Sequence, residues 1–236
     1  MLLNLEKEYA RPSLNHLFGF AENGTDLLSQ ICWGIRISLA ISFVVVIFNL
    51  FVGLFLGTIT AYYRGSLDLI FMRIVDILDA FPGILLIVAL AALLGPSVEN
   101  VVFALLFGTW SSFVRLVRAS VLSLRERDFI FAARAIGCKD WQIIVFHIWP
   151  SVFPLLLTKV VLSFASYMLI EASLGFLGLG VPYGSPSLGG LLYQGSQVMS
   201  EAPHVLFISS AILILYLFIF NFAAEFLKSS FEVKIK

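Results

Sequence analysis

Residues 127–150 read RDFIFAARAIGCKDWQIIVFHIWP and separate the apolar runs on either side with a short charged segment. This segment, called the insert, has ionisable side chains at Arg127, Asp128, Arg134, Lys139, Asp140 and His147. Such a cluster is expected outside the bilayer core, where charged side chains are costly. The chain around it is 60% hydrophobic, only 13% charged and has a mean hydropathy of +0.98. This composition predicts a membrane protein rather than a water-facing globular domain.

Apolar runs on both sides of the insert predict the architecture. A helix needs ~20 mostly apolar residues to cross a bilayer core, and five runs qualify, at roughly 37–62, 70–94, 98–114, 151–175 and 204–225. None shows the alternation of a barrel strand, so we predict an all-α polytopic bundle with about five spans. The second run opens with an amphipathic stretch in which Asp76 and Asp79 are expected near the interface. Gly53 and Gly57 form GxxxG in the first run, which fits either a close packing face or coincidence.

The distribution of basic residues predicts the orientation, because cytoplasmic segments carry an excess of Lys and Arg. With the insert inside, eleven basic residues are cytoplasmic: Arg64, Arg73, Arg115, Arg118, Arg125, Arg127, Arg134, Lys139, Lys228, Lys234 and Lys236. Only Lys7, Arg11 and Arg36 are then outside. We expect the N-terminus outside, in an extracytoplasmic segment 1–35, and the C-terminus inside, in a cytoplasmic tail 229–236. The transmembrane domain between them, 36–228, is expected to contain a cytoplasmic segment at 115–150 and an extracytoplasmic connection at 176–203. The connection is rich in Gly, Pro and Ser, which predicts irregular structure.

The first half of the insert has the spacing of a short helix. Phe129, Ala132, Ala133 and Ile136 fall at i, i+3, i+4 and i+7, on one face, and Asp128 is expected to cap the N-terminus of the helix. Because alanine leaves little side chain between the backbone and a neighbour, this face favours close docking.

The second half of the insert predicts a turn and another helix. Gly137 is suited to end the first helix with a positive φ. Asp140 is expected to cap the second helix, which should end at Pro150 before the next span begins. These residues leave two interpretations open: a docking element, or an interfacial helix–turn–helix that fills space beneath the bundle.

Glu171 lies about twenty residues into the fourth apolar run, where an acid is a candidate functional residue. It could line a substrate pathway, carry a proton in an ion-coupled secondary transporter, or begin the outer connection as an interfacial residue. Lys159 lies twelve residues earlier, ~18 Å along a helix, so the two cannot pair within one helix. Lys159 is expected to extend to the inner interface or to meet another helix.

Several function classes find no support in the sequence. The net charge is zero, from 15 basic and 15 acidic residues, which gives no reason to expect a nucleic-acid partner. His16, His147 and His204 have no metal-binding spacing, so no metal site is expected. GxxxxGK[ST] and GxSxG are both absent, so we expect a chain that is not an enzyme and binds no cofactor of its own.

The insert resembles the cytoplasmic motif of ABC importer permeases, which reads Glu-Ala-Ala, three residues, Gly, nine residues and Ile-x-Leu-Pro. Ala132, Ala133, Gly137 and Pro150 match it in type and spacing. Phe131 stands where the family usually has Glu, and Trp149 where it usually has Leu. The resemblance implies that residues 128–149 couple the chain to an ATPase, through Asp128, Phe129, Ala132, Ala133, Arg134, Gly137, Asp140 and Pro150.

Three further segments are similar to the oligopeptide, dipeptide and nickel branch of that family. They are HLFGFAENGTDLLSQICWGIRISLA (16–40), EASLGFLGLG (171–180) with the Pro186-Ser187-x-Gly189 turn, and FNFAAEFLK (220–228). In that branch the second permease of a pair normally has six spans, and the segment similar to 16–40 follows the first. The resemblance therefore implies a permease that is shortened by its first span.

What the resemblance implies is a type I ABC importer permease in a bacterial or archaeal inner membrane. Such a subunit pairs with a second permease, receives cargo from an extracytoplasmic binding protein and rests on two ATPase subunits, which bind the ATP and Mg²⁺. The branch transports dipeptides, oligopeptides and nickel chelates. The alternative from another class is the secondary transporter that uses Glu171.

Overall fold

The fold of the chain is a helical bundle. A computed structural model describes residues 8–14, 16–182 and 185–232. Those residues form nine α-helices: α1 (Leu27–Tyr63), α2 (Ser66–Asp79), α3 (Gly83–Leu94), α4 (Val98–Leu124), α5 (Asp128–Ala135), α6 (Asp140–Ile143), α7 (Trp149–Phe176), α8 (Leu188–Gln197) and α9 (Pro203–Glu232). The all-α prediction is confirmed.

The pair α1 and α4 forms the most extensive helix contact of the bundle. Gly53 and Gly57 lie in this contact, so the GxxxG motif is a packing face and not a coincidence. A Cβ at Gly53 would lie 2.5 Å from Cβ of Phe113, and one at Gly57 would lie 2.8 Å from Cβ of Val117. Only glycine lets the two backbones approach this closely.

The second predicted span is a bent pair of helices. It consists of α2 and α3, which are bent by 75° relative to one another at the break between them. Pro82 explains the break, because proline disfavours helical φ/ψ at the preceding residue and has no N–H to donate. The described part of the chain thus has four long apolar helices, and a fifth span if the bent pair is counted as one, as predicted.

Pro150 does not end the second helix of the insert, contrary to the prediction. A π-helical turn at Ile144–Ile148 joins α6 to α7, and Asp140–Phe176 is one continuous helix of 37 residues. The wider π turn changes the hydrogen-bond register just before the proline, which lets the helix pass a residue without an N–H.

The connection 176–203 is also more regular than predicted, because it contains α8. Ser187 caps that helix by accepting the Gly190 N–H at 3.0 Å. The segment before α1 packs on this connection: Ala21, Leu27 and Leu188 share one buried cluster. The cluster therefore lies at the N-terminal end of α1, and the insert contacts the opposite end. The predicted tail falls partly in α9, and residues 233–236 lie outside the described residues.

Candidate functional site

Helix α5 rests on the bundle through Ile130 and Ala133, which are buried in the main core. The assignment of Ala133 to the docking surface is wrong, since its side chain is only 4% exposed. The other three residues of the predicted face do point outward: Ala132 is exposed, and Phe129 and Ile136 are 43% and 82% exposed. Phe129, Ala132 and Ile136 therefore form an exposed face, which is the candidate docking face.

Gly137 ends α5 with φ +86°, which confirms the predicted C′ glycine. The Cys138 N–H donates to the Ala133 carbonyl at 3.1 Å, and the Gly137 N–H donates to the Arg134 carbonyl at 3.0 Å. This pair of hydrogen bonds is a Schellman motif, which satisfies carbonyls at the helix end. The turn after α5 therefore has a defined geometry and sets the angle at which α6 begins.

The predicted cap at Asp128 is wrong in detail. Asp128 is the first residue of α5, the N-cap is Arg127, and no side chain makes the capping hydrogen bond. The carboxylate of Asp128 still lies in the first helical turn, where the positive end of the helix dipole favours an acid.

Asp140 is likewise the first residue of its helix and not the cap. At this N-terminus the Lys139 N–H donates to Oε1 of Gln142 at 2.8 Å. The Asp140 carboxylate instead accepts a hydrogen bond of 2.7 Å from the hydroxyl of Tyr62, in the last turn of α1. This contact joins residues 78 positions apart, and no motif in the sequence predicts it.

Tyr62 is 5% exposed and contacts the insert in a second way. The guanidinium carbon of Arg134 lies 5.4 Å from the centroid of its ring, within the range of a cation–π contact. Arg125, at the end of α4, donates to the carbonyls of Ala61 and Tyr62 at 3.0 and 2.9 Å. Helix-terminal carbonyls lack donors within their own helix, so Arg125 satisfies the end of α1.

Ion pairs fix α2 against α4, the helix that leads into the insert. The guanidinium of Arg115 donates hydrogen bonds to the carboxylates of Asp76 at 2.8 Å and of Asp79 at 2.7 Å. Arg118 forms a two-point contact with Asp68 at 2.7 and 2.8 Å, the geometry in which guanidinium binds carboxylate most strongly. The acids of the amphipathic stretch are therefore paired with side chains of α4.

Glu171 is fully buried within α7, which continues to Phe176, so it does not begin the outer connection. The Ser38 hydroxyl donates to its Oε2 at 2.6 Å, and Oε1 has no hydrogen-bond partner among the described residues. Lys159 contacts another helix, which is one of the two alternatives predicted for it. Its Nζ lies 5.5 Å from the ring centroid of Phe113 on α4.

His147 lies in the π-helical turn of the insert, whereas His16 and His204 contact the segment before α1. Nδ1 of His16 contacts Asp26 at 3.0 Å, and Nε2 of His204 lies 3.2 Å from the Phe20 carbonyl oxygen. Partial burial raises the pKa of Asp26, but hydrogen bonds from the Ser29 N–H and from His16 outweigh it and leave that pKa below its usual value. Among the described residues, no group of His, Cys, Asp and Glu side chains is arranged to hold a metal.

These features define a multi-span membrane protein with an exposed apolar face at one end of the bundle. The chain belongs to the family described as binding-protein-dependent transport system inner membrane component, which matches residues 50–236. It is therefore a permease subunit of an ABC importer, and its relatives are permeases rather than enzymes.

Two relatives extend the similarity over nearly the whole chain. The dipeptide transport system permease protein DppC of Alkalihalophilus pseudofirmus is 38% identical over 225 residues, which are 95% of this chain and 74% of that protein. The glutathione transport system permease protein GsiD of Pectobacterium atrosepticum is 36% identical over 225 residues, 95% of this chain and 75% of that protein.

Solved structures share the fold. A chain of the MetNI methionine ABC transporter in inward-facing form matches with a TM-score of 0.72 and 21% identity, covering 86% of this chain and 96% of the other. A chain of an amino acid ABC transporter with histidines matches with a TM-score of 0.65 and 16% identity, covering 86% of this chain and 94% of the other. The predicted ABC importer permease fold is confirmed.

Proposed function

We propose that this chain forms half of the translocation pathway of an ATP-driven peptide importer and docks on an ATPase through residues 128–149. The observation that carries the docking is the exposed face of Phe129, Ala132 and Ile136, which no other part of the described chain covers. An exposed apolar face at the end of a bundle is suited to a protein cleft, and Trp141 in α6 is a further exposed apolar side chain of the insert, at 56%. A second permease chain supplies the other half of the pathway.

The insert can transmit force because it is continuous with two long helices. α5 follows α4 after three residues, and α6 runs through the π turn into α7 without a break. A displacement of the docked insert therefore moves the ends of α4 and α7 as rigid elements, which is how hinge and shear transitions pass between subunits. ATP and Mg²⁺ belong to the partner ATPases in this proposal.

In this proposal Glu171 holds α1 and α7 together at the end away from the insert. Its carboxylate is buried against Ser38 and not open to a pathway in this conformation. Removing one partner of a buried hydrogen bond leaves the other unsatisfied. This gives Glu171 a structural role, and it requires no ion coupling.

The proposed cargo is a short peptide, because the two relatives are named for a dipeptide and for glutathione, itself a tripeptide. We expect a tagged complex to copurify with a binding protein whose ligand, identified by mass spectrometry, is a peptide. Vesicles with the complex should take up that peptide only with ATP inside. A nickel chelate as the retained ligand would contradict the peptide assignment, and uptake that follows a proton gradient without ATP would contradict the importer.

The proposed orientation places the N-terminal segment and the connection outside and the insert in the cytoplasm. We expect single cysteines at Ser13 and Ser185, both exposed, to react with an impermeant thiol reagent in intact cells. A cysteine at Lys139 should react only after permeabilisation. The background must lack the native thiols Cys32 and Cys138. Labelling of position 139 in intact cells, with position 185 protected, would reverse the orientation.

A further inference from the structure

Tyr62 contacts three elements at the end of the bundle that carries the insert. Its hydroxyl bonds Asp140 at the start of α6, its ring lies 5.4 Å from the guanidinium of Arg134 on α5, and its carbonyl accepts from Arg125 at the end of α4. It is also buried in the same core cluster as Ala133 of α5. One residue thus joins α1 to three elements that lie in or next to the insert.

The chain itself does not link α1 directly to the insert. The insert continues from α4 and into α7, whereas α1 is followed by α2 and α3. Contacts must therefore carry any movement of the insert to α1. Among the described residues, three other polar contacts lie in this region. Nε1 of Trp149 donates to the Thr58 hydroxyl at 3.2 Å, but beyond the π turn, at the start of α7. Arg125 donates to the Ala61 carbonyl at 3.0 Å, and Arg64 lies 3.8 Å from Glu126, but neither contact involves a residue of α5 or α6.

Helix α1 is long enough to carry such a movement across the membrane. It is 37 residues long without a break, and Ser38, which bonds Glu171, lies 24 residues from Tyr62, ~36 Å along a helix. Gly53 and Gly57 pack it closely on α4 between these two points. A displacement at Tyr62 is therefore passed to the opposite end of α1.

We propose that Tyr62 is a positioning residue that makes α1 follow the insert, through its hydroxyl bond to Asp140 and its ring contact with Arg134. The inference rests on the proposed docking of the insert on an ATPase. Without the link, ATP hydrolysis would still move α4 and α7, and α1 would respond incompletely. The predicted defect is thus in transport per ATP and not in hydrolysis itself.

Tyr62→Phe tests the link, because it keeps the ring under Arg134 and removes only the hydroxyl donor. In vesicles with loaded binding protein, we expect ATP hydrolysis close to that of the unmodified complex. Solute transported per ATP should fall about tenfold, the effect of losing one hydrogen bond to a charged group. Tyr63→Phe is the matched control: Tyr63 is adjacent and exposed, and contacts the Tyr62 ring by its edge, so its transport ratio should be unchanged.

Asp140→Ala removes the acceptor of the same bond from an exposed position, so it tests the link even if the buried Tyr62 variant assembles poorly. We expect it to lower the transport ratio as much as Tyr62→Phe, and the double variant to be no worse than either, since both remove one interaction. An unchanged ratio in Asp140→Ala, or fully additive effects in the double variant, would overturn the proposal.

Ala132→Trp, which disturbs docking and not the link, separates this inference from the function on which it rests. If Ala132→Trp loses stimulated hydrolysis while both link variants transport normally, docking stands and the role of Tyr62 is refuted. If Ala132→Trp is also normal, docking through α5 is itself refuted.

Discussion

A complex that carries Ala132→Trp is expected to assemble in the membrane and to lose both stimulated ATP hydrolysis and uptake. Ala132 is exposed at the centre of the docking face, between Phe129 and Ile136, so an indole there adds bulk on the outer side of α5 and holds the ATPase away. Overpacking a close contact costs about 1–3 kcal/mol, which corresponds to roughly a tenfold loss or more. The measurement is ATPase activity of the purified complex in lipid with loaded binding protein.

Two alanines provide the comparison for this variant. Ala211→Trp places the same indole at an exposed position of α9, among the exposed apolar side chains of Phe207 and Ile214, and should leave hydrolysis unchanged. Ala133→Trp enters the core and should lower the amount of assembled complex instead. Normal stimulation by a fully assembled Ala132→Trp complex would show that α5 is an interfacial helix that fills space and not the docking element.

Gly137→Val is expected to give the second large loss of coupling. Gly137 adopts φ +86° with open space around the position of a Cβ, so the defect comes from backbone conformation and not from a clash. A β-branched residue there is strained by about 1–3 kcal/mol or adopts another φ, which changes the angle between α5 and α6. The docking face is then misplaced, and stimulated hydrolysis and uptake should fall about tenfold.

Gly95→Val is the matched control, because Gly95 has φ +82° and equally open space at the C-terminal end of α3. It introduces the same strain away from the insert and should preserve coupling in the complex that assembles. Gly137→Asn should retain most activity, since asparagine tolerates positive φ better than valine. If Gly95→Val and Gly137→Val lose stimulated hydrolysis and uptake equally, the defect comes from general destabilisation and not from a misplaced docking face.

Features encoded by neighbouring residues were predictable from the sequence. The length of the apolar runs predicted the helical bundle, because few structures other than a helix can span a bilayer. The spacing of Phe129 and Ile136 predicted helix α5, and Gly137 predicted where that helix ends, because helix periodicity and positive φ are local properties. The GxxxG motif did not predict whether Gly53 lies in a helix contact, since the spacing of glycines does not identify the helix that packs against them.

Only the tertiary structure decided which local features face outward and which are joined. It buried Ala133 and exposed Ala132, because helix spacing defines a stripe and not the angle at which neighbours cover it. It placed Asp140 against Tyr62 and Glu171 against Ser38, contacts between residues 78 and 133 positions apart. Such pairs depend on how α1 packs against the rest of the bundle, and helix periodicity and capping preferences extend over only a few residues.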